Sequence, residues 1–119
     1  MTLDTFTKAY IEAALWTSTD ESTPEGGEPM DANYGITDLA PETLERIKAD
    51  CASFQGQFWD DIHANAAQAG HDFWLTRNGH GAGFWDGDWP ERVGGKLTDA
   101  SHRSGSVDLY VGDDGRIYA

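Results

Sequence analysis

His71, Arg77, His80 and Asp86 lie close together in the sequence. Imidazole nitrogens and carboxylate oxygens are ligands for zinc and related ions. A hairpin that brought His71, His80 and Asp86 together would therefore suit a small metal-dependent enzyme. His71 and Asp72 could instead work as an acid–base pair. The spacing fits no standard zinc pattern, so a surface or hydrogen-bonded structural role is the simpler expectation for each imidazole. Asp86-Gly87-Asp88 begins like a calcium loop but lacks the later ligands and the distal Glu. Gly79-His80-Gly81-Ala82-Gly83 does not open a helix after a parallel strand, so it is no phosphate cradle, and Arg77 is the only base near it. Cys51 sits on an apolar helical stripe, where an inert buried thiol is expected. A lone cysteine also excludes an internal disulfide framework and a cysteine-rich zinc site. No Ser–His–Asp or Cys–His arrangement can be ordered from the chain. The expectation is therefore no catalytic residue, no metal and no cofactor.

The carboxylates are the stronger signal. The chain has 119 residues and a formal net charge of −13, from 21 acids and 8 bases. Between Lys8 and Arg46 there are nine acids and no base: Glu12, Asp20, Glu21, Glu25, Glu28, Asp31, Asp38, Glu42 and Glu45. Fourteen acids and three bases precede Arg77, against seven and five from Arg77 onward, so the field belongs to the first two thirds. Like charges repel at a phosphate surface, which argues against nucleic acid or an anionic membrane as a direct partner. The same carboxylates could occupy the Lys/Arg array with which another protein grips DNA, where the attraction would weaken with salt. The alternative is solubility alone, for which a net charge of magnitude ~2–8 suffices in a small domain. The residues expected to form such a surface are Asp20, Glu21, Glu25, Glu28, Asp31, Asp38, Glu42 and Glu45.

These groups need a scaffold, and the composition supplies one. Hydrophobic residues are 39% and aromatics 12%, including five Trp, too apolar for a disordered acidic tail. A single domain of this size buries roughly 65% of its unfolded surface. Leu3, Phe6, Tyr10, Ala13 and Ala14 predict a helix over 3–16, closed by Trp16. Residues 17–40 predict a long surface loop, anchored by Tyr34, Ile36 and Leu39. Pro41 suits a first helical turn, and Leu44, Ile47, Cys51, Phe54, Phe58 and Ile62 step by three or four. That helix is expected to end near 65–70. Asp72–Arg77 then reads as a strand, with Asn78-Gly79 as a hairpin turn and Phe84-Trp85 starting the return. Either Trp74 faces Trp85 or Phe73 faces Phe84, and Phe73 and Trp74 would point to opposite faces. An exposed Trp beside acids would make an interface anchor. Asp88-Trp89-Pro90-Glu91 resembles a capping box opening a short helix with Val93, Leu97 and Ala100. Val107–Val111 and Arg116–Ala119 form a second hairpin around Gly112–Gly115, with Tyr110 beside Tyr118. The expected fold is α+β: two long helices and a short third on a small antiparallel sheet of two hairpins, in the order α-α-β-β-α-β-β. One domain covers 1–119.

The segment HDFWLTRNGHGAGFWD (71–86) resembles a family of short acidic proteins encoded by tailed bacteriophages and prophages. The resemblance extends to YIEAALWTSTDES (10–22), APETLERIKADC (40–51) and VDLYVGDDGRIYA (107–119), and departs from the family pattern over 87–95. It implies a phage accessory protein acting in the cytoplasm of the infected bacterial host. It carries over no catalytic residue. With the charge, it points to an inhibitor or DNA mimic that binds a basic, nucleic-acid-binding host protein of a defence or DNA-processing system. An assembly or structural factor for the virion is the further alternative. The absence of a basic leader or a long apolar run predicts neither export nor membrane insertion.

Overall fold

In the computed structural model, which describes residues 3–20, 27–80, 82–86 and 88–119, Asp4 starts the first helix. Its carboxylate accepts the Thr7 amide at 2.8 Å. This N-cap satisfies an otherwise orphaned donor, and α1 runs Thr5–Thr17. Phe6, Tyr10, Ile11, Ala14 and Leu15 form its buried face. Trp16 does not close the stripe, because it lies 58% exposed.

The chain then makes a short ribbon of β1 (Thr19–Asp20) and β2 (Glu28–Pro29), paired antiparallel. Met30, fully buried, pins the return beside α1, and its amide donates to the Ser18 carbonyl. Tyr34 and Ile36 are half-buried, and Leu39 is buried. Pro41 opens α2 (Pro41–Ile62), as its missing N–H allows at a first turn. Ile47, Cys51, Phe54 and Ile62 are buried as their spacing predicts, while the backbone departs from helical geometry at Phe58.

The largest correction falls on 66–77. The expected strand Asp72–Arg77 is the second half of α3 (Ala66–Arg77). Every residue from Ala69 to Arg77 except His71 is buried. A helix enclosed on several sides loses the one-sided 3.6 period, which is why the run imitates a buried strand. Phe73 and Trp74 therefore both point inward, and neither proposed cross-strand register exists. Asn78-Gly79 is a helix C-cap rather than a hairpin turn. Gly79 takes φ +72°, its amide donates to the Thr76 carbonyl, and the His80 amide donates to Leu75. That pair of bonds is the Schellman motif. The Phe84-Trp85 segment is a turn, held by the Phe84 amide donating to Thr76 Oγ1 at 3.1 Å.

Gly70 explains how closely α3 lies on α1. A Cβ there would overlap the Phe6 carbonyl oxygen and stand 2.9 Å from its carbon. The interior is an aromatic stack. Phe54 lies 4.2 Å from Phe73 and 5.8 Å from Phe84, centroid to centroid, and Tyr10 meets Trp74 edge-on at 5.4 Å. α4 (Glu91–Arg103) follows, but the expected Asp88 capping box is absent: Pro90 is the N-cap and no side chain caps the helix. Leu97 and Ala100 are buried, and Val93 is half-buried.

The last hairpin pairs β3 (Tyr110–Val111) with β4 (Ile117–Tyr118), and Tyr110 faces Tyr118 as the sequence predicts. The Ile117 carbonyl accepts the Ala40 amide, which ties β4 to the start of α2. Among the described residues the fold is thus α+β: four α-helices with two small, separate antiparallel strand pairs. The order differs from expectation because the first ribbon precedes α2 and the central hairpin is a helix. Among the described residues no helix is long and apolar enough to cross a membrane.

Candidate functional site

The described acids expected to form a surface fall on the β1–β2 ribbon, the 3₁₀ turns after it and the start of α2. Asp20 stands opposite Glu28 in the ribbon, and Glu28 Oε2 accepts a hydrogen bond from Asn33 at 3.0 Å. Asp31 is exposed on the short 3₁₀ turn that follows. Asp38 is spent locally, since its carboxylate accepts the Gly35 amide at 2.8 Å and closes a turn. Glu42 and Glu45 are exposed in the first turns of α2, where the helix dipole favours negative charge. Glu21 and Glu25 lie outside the described residues.

Ion pairing among the described residues leaves Glu28, Asp31 and Glu42 of this set without a cation within 4 Å. Among the described residues there are four pairs within 4 Å: Lys48–Glu45, His71–Asp72, Arg77–Asp50 and Lys96–Asp61. Only the first touches the predicted surface. The exposed carboxylates of Glu12, Glu28, Asp31 and Glu42 have no cationic side chain in range among the described residues.

Arg77 and Asp86 of the second candidate set part from its two histidines. Arg77 turns inward and is 6% exposed. Its guanidinium donates to Asp50 Oδ2 at 3.0 Å, to the Tyr10 hydroxyl at 3.1 Å, and to the carbonyls of Gly105 and Ser104 at 2.8 and 2.9 Å. It also lies over the Phe73 ring. These bonds join α1, α2 and α3 to the end of α4, so Arg77 holds the fold and is not offered to a ligand. Burial pushes the Tyr10 phenol well above its ordinary range, although the neighbouring Arg77 charge opposes this. Asp86 is exposed, and its carboxylate accepts the Gly83 amide at 3.2 Å. The negative charge of Asp86 in turn raises the carboxyl of Asp88.

His71 and His80 do converge. Together with Trp16, Thr17, Leu75 and Ala82 they line an apolar depression of about 510 Å³. The His71 ring stacks on Trp16 at 6.4 Å, and its Nδ1 lies 3.6 Å from Asp72 Oδ1, beyond hydrogen-bond length. Asp72 is 1% exposed, and its oxygens accept from Trp89 Nε1 at 2.8 Å and from Gln68 at 3.0 Å. It is a buried acceptor that fixes α3 to the segment before α4. No group of three His, Cys, Asp or Glu side chains is placed to hold a metal ion among the described residues. Cys51 is buried, and desolvation pushes its thiol up to about 12, though the Thr7 hydroxyl opposes this.

The sequence predicts an exposed aromatic at Phe73 or Trp74, but both are buried and other rings are exposed. Trp16, Trp59, Trp85 and Tyr110 are 58%, 55%, 54% and 56% exposed. The sequence does carry a signal for two of them: Trp16 ends its helix at Thr17-Ser18-Thr19, and Trp59 adjoins Asp60-Asp61. Single exposed aromatics are common on protein surfaces, and such rings also make favourable interface anchors. Comparisons of the chain with protein-family models, with curated proteins and with solved structures each gave no match.

Proposed function

We propose that this chain is a bacteriophage-encoded accessory protein of the infected host's cytoplasm. In this reading it binds a host protein by presenting an acidic surface to a basic, nucleic-acid-binding site, as an inhibitor or DNA mimic. The observation that supports it best is the unmatched charge: Glu28, Asp31 and Glu42 stay exposed with no cation in range among the described residues. By contrast, Asp4, Asp38, Asp50 and Asp72 are capping, paired or buried. The resemblance of 71–86 to phage and prophage proteins supplies the setting. The metal-dependent alternative needed one hairpin to gather His71, His80 and Asp86, and α3 stands where that hairpin would be.

The test is capture from a bacterial lysate at low salt, followed by competition with duplex DNA. Recovery of a nucleic-acid-binding protein that DNA releases from the complex is the expected result. Recovery of proteins that DNA does not displace, or of none, would overturn the proposal.

A further inference from the structure

Three surface depressions share lining residues and run past the first strand of the β1–β2 ribbon. The first is the His71–His80 pocket beside Trp16. The second, about 620 Å³, shares Thr17 and His80 with it and extends over Asn78, Asp108 and Tyr110. The third, about 570 Å³, shares Tyr110 and ends on Asp113, Asp114 and Tyr118. Trp16 and Tyr110 mark the groove with rings more than half exposed, and Tyr110 is braced by stacking on Tyr118 at 5.8 Å. Three carboxylates line its course, Asp108, Asp113 and Asp114, and among the described residues no Lys or Arg lines it, although Arg116 lies within electrostatic reach of Asp114. The hydrogen bond from the Tyr118 hydroxyl holds the Asp114 carboxyl below its ordinary range, so that side chain stays anionic.

We propose that this groove takes an extended, arginine-bearing segment of the partner protein, with one guanidinium laid on Trp16 and another between Tyr110 and the Asp113–Asp114 turn. This rests on the preceding proposal only in taking the partner to be basic. The choice of arginine follows from the lining. A flat guanidinium satisfies an aromatic face and a carboxylate at once, whereas an ammonium is a compact, strongly hydrated point charge. An apolar segment would desolvate the Asp108 and Asp113 carboxylates without offering them a cation, and an acidic one would be repelled.

The probes are two fluorescently labelled peptides, one alternating Arg and Ser and one alternating Lys and Ser, titrated by anisotropy against the full chain at low salt. The account predicts the Arg peptide to bind about tenfold tighter than the Lys peptide. Trp16→Ala and Tyr110→Ala should each weaken the Arg peptide about tenfold, whereas Trp59→Ala, outside the groove, should not. Circular dichroism establishes that each variant is folded, and both target rings are exposed. If the two peptides bind alike and Trp16→Ala changes nothing, the groove is refuted while general acidic attraction survives. If neither peptide binds, the groove is refuted, and the preceding proposal is decided by DNA competition alone.

Discussion

Replacing Gly70 by Ala tests the helix crossing on which the whole arrangement depends. Alanine is the better helix former by about 1 kcal/mol, so propensity alone predicts a gain. The new methyl, however, overlaps the Phe6 carbonyl oxygen and has the Phe6 carbon at 2.9 Å and its Cα at 3.2 Å. These are backbone atoms within α1 and cannot swing aside as a side-chain tip would. Overpacking of this kind costs about 3 kcal/mol at the upper end of its usual range, which leaves a net loss of about 2 kcal/mol. For a chain of this length that lowers the melting temperature by about 8 °C. Gly56→Ala is the control. It lies in α2 with nothing within 4 Å of the added methyl, and should gain up to about 1 kcal/mol. Urea and thermal unfolding followed by circular dichroism measure both. If Gly70→Ala is as stable as the parent, or the two variants shift alike, then α3 does not cross α1 at Phe6 and the strand reading of 72–77 returns.

Cys51, buried with its thiol pushed up to about 12, should react with a disulfide reagent at mildly alkaline pH at least about a hundredfold more slowly in the native protein than after unfolding. Fast native labelling would contradict the burial. Asp72→Ala strands Trp89 Nε1 in a dry site, while the exposed Gln68 amide turns to water, and should cost about 1–3 kcal/mol, with Asp72→Asn costing less because one acceptor remains; urea midpoints decide. Asp4 is pulled up by burial, but bonds from Thr7 and Gln55 more than offset this and hold its folded carboxyl below the ordinary value. The stability it adds is therefore present above that ordinary value and is lost as pH falls through the folded one. Asp4→Ala should cost about 1 kcal/mol near neutrality, and the gap should close in strong acid. A gap that persists there would refute the cap.

Where one face of an element meets the core, the sequence was enough. The α2 stripe through Ile47, Cys51 and Phe54, with Pro41 at its start, was legible because only one side of that helix is buried. The Tyr110–Tyr118 pairing was legible because Gly112–Gly115 can only turn. The stretch from Ala69 to Arg77 was not, since α1 and α4 both pack against α3 and enclosure erases periodicity. Asn78-Gly79 then misled for a chemical reason: a left-handed glycine serves a hairpin turn and a helix C-cap equally. In the candidate site, the local excess of acids between Lys8 and Arg46 was visible. Its division into working caps such as Asp38 and exposed charges such as Asp31 was not, because that depends on which amide each carboxylate reaches. Arg77 looked available beside a glycine-rich run. Its partners Tyr10, Asp50, Ser104 and Gly105 are far from it in sequence, and only the fold brings them together.

The central claim is that uncompensated exposed carboxylates bind a basic protein. The most direct measurement is the salt dependence of affinity for the captured bacterial partner, for the parent chain and for the variant Glu28→Gln, Asp31→Asn, Glu42→Gln, Glu45→Gln. The account predicts affinity that falls steeply with salt, by about tenfold or more for each tripling of concentration, with the slope roughly halved in the variant. An affinity indifferent to salt, or a neutralised variant that binds as tightly as the parent, would contradict it.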